Sequence, residues 1–229
     1  MRILVVCLSL WSILCYSQEV SKDSLDEKYR EDQFYASISY NILNNKPSGF
    51  NQRGISTGFN VGFIRDMPIN KRRNWAIGLG LGLSSNSYNQ NLRIAETEEG
   101  QTYSIIDESD INVSKNKFTR YLLEVPLELR WRTSTASDYK FWRIYTGVKL
   151  GYLFYSSAKF KSNVGDETVS NIDGFNNLQL GITLSAGYNT WNFQVYYGLS
   201  PLFNEDAITI NGERIDLNAL KIGIIFYIL

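Results

Sequence analysis

Apolar and polar residues alternate with a period of two along most of this chain. In residues 34–43, Phe34, Ala36, Ile38, Tyr40 and Ile42 share one face, and Tyr35, Ser37, Ser39 and Asn41 the other. Residues 55–64 set Ile55, Thr57, Phe59, Val61 and Phe63 against Ser56, Gly58, Asn60 and Gly62. In 75–84, Trp75, Ile77, Leu79, Leu81 and Leu83 alternate with Ala76, Gly78, Gly80, Gly82 and Ser84. The same pattern runs through 121–132, 141–155, 178–188, 191–199 and 220–229. A strand turns successive side chains to opposite sides, so each segment predicts a β-strand with one apolar face. The count is eight.

Two closed barrels accommodate eight such strands. A soluble barrel buries its apolar face inside, whereas a membrane barrel turns it to lipid. Volume separates them. About 40 bulky apolar side chains lie on the apolar faces, and an eight-stranded interior is just filled by ordinary side chains. The opposite face of 75–84 carries Ala76, Gly78, Gly80 and Gly82, small residues that leave room for long polar neighbours. The pattern therefore predicts an all-β, eight-stranded antiparallel up-and-down transmembrane β-barrel. Strands of about 10 residues at a steep tilt match the hydrocarbon core.

Connection lengths add an orientation. With both termini periplasmic, the periplasmic turns are 65–74, 133–140 and 189–190. The outer loops are 44–54, 85–117, 156–175 and 203–216. Short turns inside and long loops outside are usual for bacterial outer-membrane barrels. Trp75, Trp131, Trp142 and Trp191 fall beside the short turns and read as a periplasmic aromatic girdle. Pro126 sits mid-strand without an N–H to give, which predicts a bulge or local break.

Residues 1–17 read as a secretory signal peptide: Arg2, an apolar run from Ile3 to Leu14, then Cys15-Tyr16-Ser17. Residues 18–31 read as a polar periplasmic lead, and 32–229 as the barrel. Cys7 and Cys15 both lie in the signal, so the mature chain is expected to hold no disulfide. The chain of 229 residues has 23 basic and 23 acidic residues, which argues against a nucleic-acid partner. It has no histidine. That removes Ser-His-Asp and Cys-His catalysis and His-ligated zinc or haem. Enzymatic outer-membrane barrels such as lipid A acyltransferases and deacylases, phospholipases and omptin proteases rely on a histidine. No enzyme activity, cofactor or small-molecule substrate is therefore expected. Eight strands also leave no aqueous channel for a diffusion porin.

Alternation turns a set of charged residues into the lumen: Glu124, Glu128 and Arg130 from one strand, Arg143 and Lys149 from the next, and Lys221 from the last. They are expected to form a buried ion-pair network that plugs the barrel. As a catalytic carboxylate pair, Glu124 and Glu128 stand about 13 Å apart along the strand, beyond the usual glycosidase separation. Glu96, Glu98, Glu99, Asp107, Glu108 and Asp110 read as a solvated, mobile acidic loop whose spacing matches no calcium motif. Lys71-Arg72-Arg73 reads as a solvated turn.

Leu123-Glu124-Val125-Pro126-Leu127-Glu128 resembles the LE-[IV]-P strand of small Bacteroidota outer-membrane barrels. The stretches Leu129-Arg130-Trp131-Arg132-Thr133-Ser134 and Tyr139-Lys140-Phe141-Trp142-Arg143-Ile144-Tyr145-Thr146-Gly147 are similar to the PorT family, called SprT in gliding bacteria. That resemblance covers nearly the whole mature chain in length and strand order. It implies an outer-membrane protein required for type IX secretion, and sometimes for gliding, with other secretion-system proteins as partners and no catalytic residues. The alternative is a generic small barrel serving adhesion or envelope integrity. Outer-membrane lipid is the partner common to both.

Overall fold

The alternating segments pair with one another in ring order. The structure, a computed structural model, describes residues 32–107, 111–133 and 141–228. The predicted signal peptide and lead lie outside these residues, as do Glu108, Asp110 and most of the 133–140 turn. Eleven strands are present: β1 (Gln33–Asn44), β2 (Thr57–Pro68), β3 (Trp75–Asn89), β4 (Leu92–Thr97), β5 (Gly100–Ile105), β6 (Val113–Arg132), β7 (Trp142–Ser162), β8 (Gly165–Ser170), β9 (Leu178–Tyr188), β10 (Trp191–Gly198) and β11 (Asn218–Ile228). Eight of them close an antiparallel barrel in the order β1-β2-β3-β6-β7-β9-β10-β11, with β11 returning to β1. Closure leaves no edge, so backbone N–H and C=O groups are satisfied within the ring. The strands β4, β5 and β8 belong to the long connections.

Side chains obey the alternation. Phe34 (63% exposed), Leu81 (56%) and Trp191 (64%) face outward, while Asp66, Arg130 and Arg132 are fully buried in the lumen. This is the membrane arrangement, apolar outside and charged inside. Because the period is two, a one-residue slip would present those charges to lipid. An Arg or Lys on the lipid face costs from about 0–1 kcal/mol near the interface, where Arg130 and Arg132 flank Trp131, to about 2–4 kcal/mol at the midplane. The charged lumen therefore helps to fix the register.

Small residues make the lumen fit. A Cβ on Gly78 would lie 2.7 Å from the Arg130 side chain, and one on Gly82 2.1 Å from the Tyr35 hydroxyl. A Cβ on Gly181 would lie 2.4 Å from the Tyr196 ring. Each glycine leaves the space that a long neighbour occupies.

Pro126 does not cause a bulge. It pairs with Lys149 of β7, and register on both sides of β6 is continuous through it. The ladder to β3 lacks its rungs between Leu79↔Leu127 and Gly82↔Glu124. The ring sits 3.0 Å from where a Gly80 Cβ would be, so an opposing glycine absorbs it. The irregularity lies higher in the same pair: Tyr121 faces Tyr155 while Leu122 faces Leu153, so Phe154 is an extra residue. Phe154 and Tyr155 are consecutively exposed, and alternation in β7 changes phase beyond them.

The connections at one end are short; Asn189-Thr190 is a two-residue hairpin between Tyr188 and Trp191. Those at the other end are long and folded. The acidic segment expected to be a mobile loop is largely a hairpin, with β4 and β5 paired from Leu92↔Ile105 to Thr97↔Gly100. Its apolar positions Leu92, Ile94 and Tyr103 are buried. A Gly181→Val substitution is expected to destabilise the barrel by about 1–3 kcal/mol through overpacking against Tyr196. Urea titration of the heat-modifiable folded band measures this; an unchanged midpoint would contradict the packing account.

Candidate functional site

Two parts of the molecule carry unusual chemistry: the charged lumen, and the folded cap at the long-loop end. In the lumen the alternation of β2, β3 and β6 brings inward residues into one layer. Asp66 lies between two arginines, with Arg130 Nη1 at 3.0 Å from Oδ1 and Arg132 Nη1 at 2.8 Å from Oδ2. Arg130 also donates from Nη2 to Gln33 Oε1 at 2.6 Å, lies over the Tyr145 ring at 4.1 Å and stands 3.4 Å from Glu128. One guanidinium thus meets two carboxylates, an amide oxygen and a π face, which offset its desolvation.

Nearer the cap is a second group. Glu124 accepts from Ser84 Oγ at 2.8 Å and Asn60 Nδ2 at 2.7 Å, and pairs with Lys149 Nζ at 2.9 Å. Lys221 Nζ sits 4.6 Å over the Tyr196 ring. Arg143 lies at the turn end, donating to the Asn189 carbonyl oxygen and lying over the Phe141 ring at 4.3 Å. The six charged residues predicted for the lumen therefore divide among three places. Glu128 and Arg130 are in one, Glu124, Lys149 and Lys221 in another, and Arg143 in the third.

Asp66 was missed because the strand was ended too early, which left it in a turn. Continuing the phase of Phe59, Val61 and Phe63 through Arg65 and Met67 puts Asp66 inside; β2 does run to Pro68. Arg120 was missed for a similar reason, since β6 begins at Val113. It donates to the Asn176 carbonyl oxygen at 2.9 Å and lies 4.9 Å from the Phe175 ring.

What remains open in the lumen is small. Cavities of about 10 Å³ and 20 Å³ lie beside Asn86, Lys149, Tyr196 and Lys221. That is about the room needed for single waters. Among the described residues no group of acidic residues is placed to hold a metal ion.

The cap has its own apolar core. Tyr88, Phe118, Phe175 and Phe203 stack from ring to ring at 5.1, 5.3 and 4.6 Å, and Tyr103 meets Phe203 edge-on at 6.0 Å. Phe50, Leu92, Ile94, Ile172, Leu202, Ile215 and Leu217 complete it from all four long connections, with Leu43 from the end of β1. Polar ties hold the same segments. Gly174 N–H donates to the Tyr103 hydroxyl at 3.1 Å, Ile210 N–H to the Tyr103 carbonyl oxygen at 2.9 Å, and Arg93 pairs with Glu167 at 2.8 Å. Burial pushes the Tyr103 hydroxyl pKa up.

Outward tryptophans gather at the short-turn end. Trp75 pairs with Trp131 across β3 and β6; Trp142 packs on Tyr188 at 5.5 Å, and Trp191 on Phe226 at 4.8 Å.

This geometry agrees with what the chain matches by family. Residues 16–204 match the model of the outer membrane protein beta-barrel domain. The chain belongs to that family. Membership in this outer-membrane barrel family places the chain in the outer membrane, with lipid against its apolar face. Among solved structures it is similar to Ail, the attachment invasion locus protein of Yersinia pestis, at 14% identity and a TM-score of 0.40, over 86% of this chain and 96% of that one. Ail in complex with the heparin analogue sucrose octasulfate matches at 15% identity and a TM-score of 0.40, over 86% and 97% of the two chains. A mutant porin of Rh. blastica matches at 10% identity and a TM-score of 0.22, over 87% and 100%. No curated protein matches.

For this outer-membrane barrel, Asp66→Ala is expected to cost about 3–5 kcal/mol, because it strands buried charge on Arg130 and Arg132. Denaturant titration in detergent reads the loss. Replacing Asp66, Arg130 and Arg132 together with Leu, Met and Met, and Glu128 with Gln so that no carboxylate is stranded, is expected to recover part of it. Equal stability of Asp66→Ala and the parent protein would contradict the pairing.

Proposed function

We propose that this protein is a non-enzymatic, non-conducting outer-membrane barrel whose working surface is the folded cap, and that it serves adhesion or envelope integrity. The observation that carries this reading is the closed mouth. The apolar core built from all four long connections covers a lumen already filled by charged and aromatic side chains. Transport through the barrel is thereby disfavoured, and activity falls to the cap exterior. That exterior shows apolar tips: Val164 between β7 and β8, and Ile208 and Ile210 beside the Tyr103 strand. Exposed apolar side chains held on ordered backbone suit protein contact. The length asymmetry of the connections supports a cap facing outward and termini in the periplasm. In this reading the four tryptophans anchor the periplasmic interface, and the buried charges plug the lumen.

A second reading is a component of type IX secretion, with other secretion-system proteins as partners. It is supported by the resemblance to the PorT family. The residues carrying that resemblance include Arg130, Arg132, Arg143 and Tyr145, which build the barrel interior. They therefore speak to a shared lumen more than to a shared partner, which is why this reading stands second.

A clean deletion, complemented by the parent gene or by Ile208→Asn/Ile210→Asn, separates the two. The expected result is normal export of type IX cargo. Surface attachment or resistance to detergent should be lost, restored by the parent gene and only partly by the variant. Periplasmic accumulation of cargo at normal outer-membrane protein levels would overturn the first reading in favour of the second.

A further inference from the structure

The strands β6 and β7 continue past the apolar belt, and their register brings like charges together. Lys115 faces Lys161, and Lys117 faces Lys159. Like charges directly opposite one another destabilise a sheet pair. Lys161 has Asp166 at 3.2 Å, but both are more than half exposed, so the pair is worth little. Among the described residues no carboxylate lies within ion-pair distance of Lys115, Lys117 or Lys159. The nearby Glu167 is engaged by Arg93. Next to this ladder is a groove of about 350 Å³ lined by Arg53, Asn89, Lys115 and Asn116. Three of the four lysines thus gather positive charge beside a polar groove with no carboxylate at ion-pair distance among the described residues.

Its position says which anion. Lys115, Lys117, Tyr121 and Leu123 fall on one side of β6 by alternation, with Thr119 between them buried, so the lysines keep the phase of the lipid-facing side beyond a covered position. Tyr121 packs on Tyr155 at 5.6 Å and on Phe154 at 6.4 Å, an aromatic cluster of the kind that marks a belt edge. Lys117 is four residues beyond Tyr121, about 13 Å along the strand and about 10 Å in height at an ordinary tilt. Lysine stems can bend toward the membrane surface while the ammonium stays wet. Lys117 and Lys159 thus stand about 10 Å above the belt edge and Lys115 and Lys161 about 5 Å higher, so their stems bend down to meet the lipid headgroups.

We propose that the ladder of Lys115, Lys117, Lys159 and Lys161, with the adjoining groove beside Lys115 and Asn116, seats a phosphate-bearing lipid headgroup at the long-loop rim of the barrel. The seat rests on the barrel's place in the membrane and on neither reading of the cap.

The test is native mass spectrometry of the full chain in neutral detergent, titrated with bisphosphorylated lipid A. The variant Lys115→Gln/Lys117→Gln/Lys159→Gln and the charge-keeping triple Arg variant are run beside it. Folding of each is checked by heat-modifiable migration. The parent and the Arg variant are expected to retain lipid A. The Gln variant should retain it on the order of a hundredfold more weakly, since each basic side chain near an anionic surface adds severalfold. Retention of phosphatidylcholine should be equal in all three. Equal retention of lipid A by the parent and the Gln variant would overturn the proposal, as would equal retention of dephosphorylated lipid A. Displacement by millimolar inorganic phosphate would reassign the site to a free anion. Binding of dextran sulfate without lipid A would reassign it to a soluble polyanion.

Discussion

The carboxylate of Asp66 holds two arginines inside the barrel, one on each oxygen. Much of the lumen is arranged around that arrangement. Gly78 is absent of side chain where Arg130 passes, Tyr145 and Tyr227 offer ring faces to its guanidinium, and Gln33 accepts from its far side. Lipid on the outer face demands apolar side chains at every second position, and a narrow closed interior must then be filled by the rest. Filling it with charge is stable only where each charge finds a partner. Glu124 meets the same requirement through Ser84, Asn60 and Lys149.

The barrel was legible because lipid imposes one period on all eight strands, and Trp75-Ala76-Ile77-Gly78-Leu79 shows it in a single segment. The limits of the reading have physical causes. Asp66 looked like a turn residue because the exposed Arg65 broke the apolar face, although polar residues are tolerated near a membrane interface. The phase change in β7 depends on Phe154 as an extra residue, which hydropathy alone does not mark since Phe154 and Tyr155 are both aromatic. The missing N–H of Pro126 does break the ladder to β3 locally, while the space beside Gly80 keeps the register and spares the strand a bulge. The cap was the largest omission. Leu92, Ile94 and Tyr103 do alternate, yet the acidic residues around them dominated the segment. A core assembled from four separate connections leaves no local period to read.

Charge in the lumen and apolar packing in the cap do different work. The lumen residues set register and closure, and they include those through which the chain resembles a secretion-associated family. The cap core continues into the barrel through Leu122, Leu153 and Tyr196, and its outer side carries Val164, Ile208 and Ile210. Function is accordingly sought on the cap and its rim, where Ile208, Ile210 and the lysine ladder lie, rather than along the axis.

The central claim is that the interior is sealed by closely packed charged and aromatic side chains, with Asp66 and Glu124 each paired to a cation. Planar-bilayer recording of the purified protein tests it most directly. The account predicts no steady ion conductance for the parent protein, and the appearance of conductance when Asp66, Glu124 and Phe118 are together replaced by Ala. A stable open channel in the parent protein would contradict it.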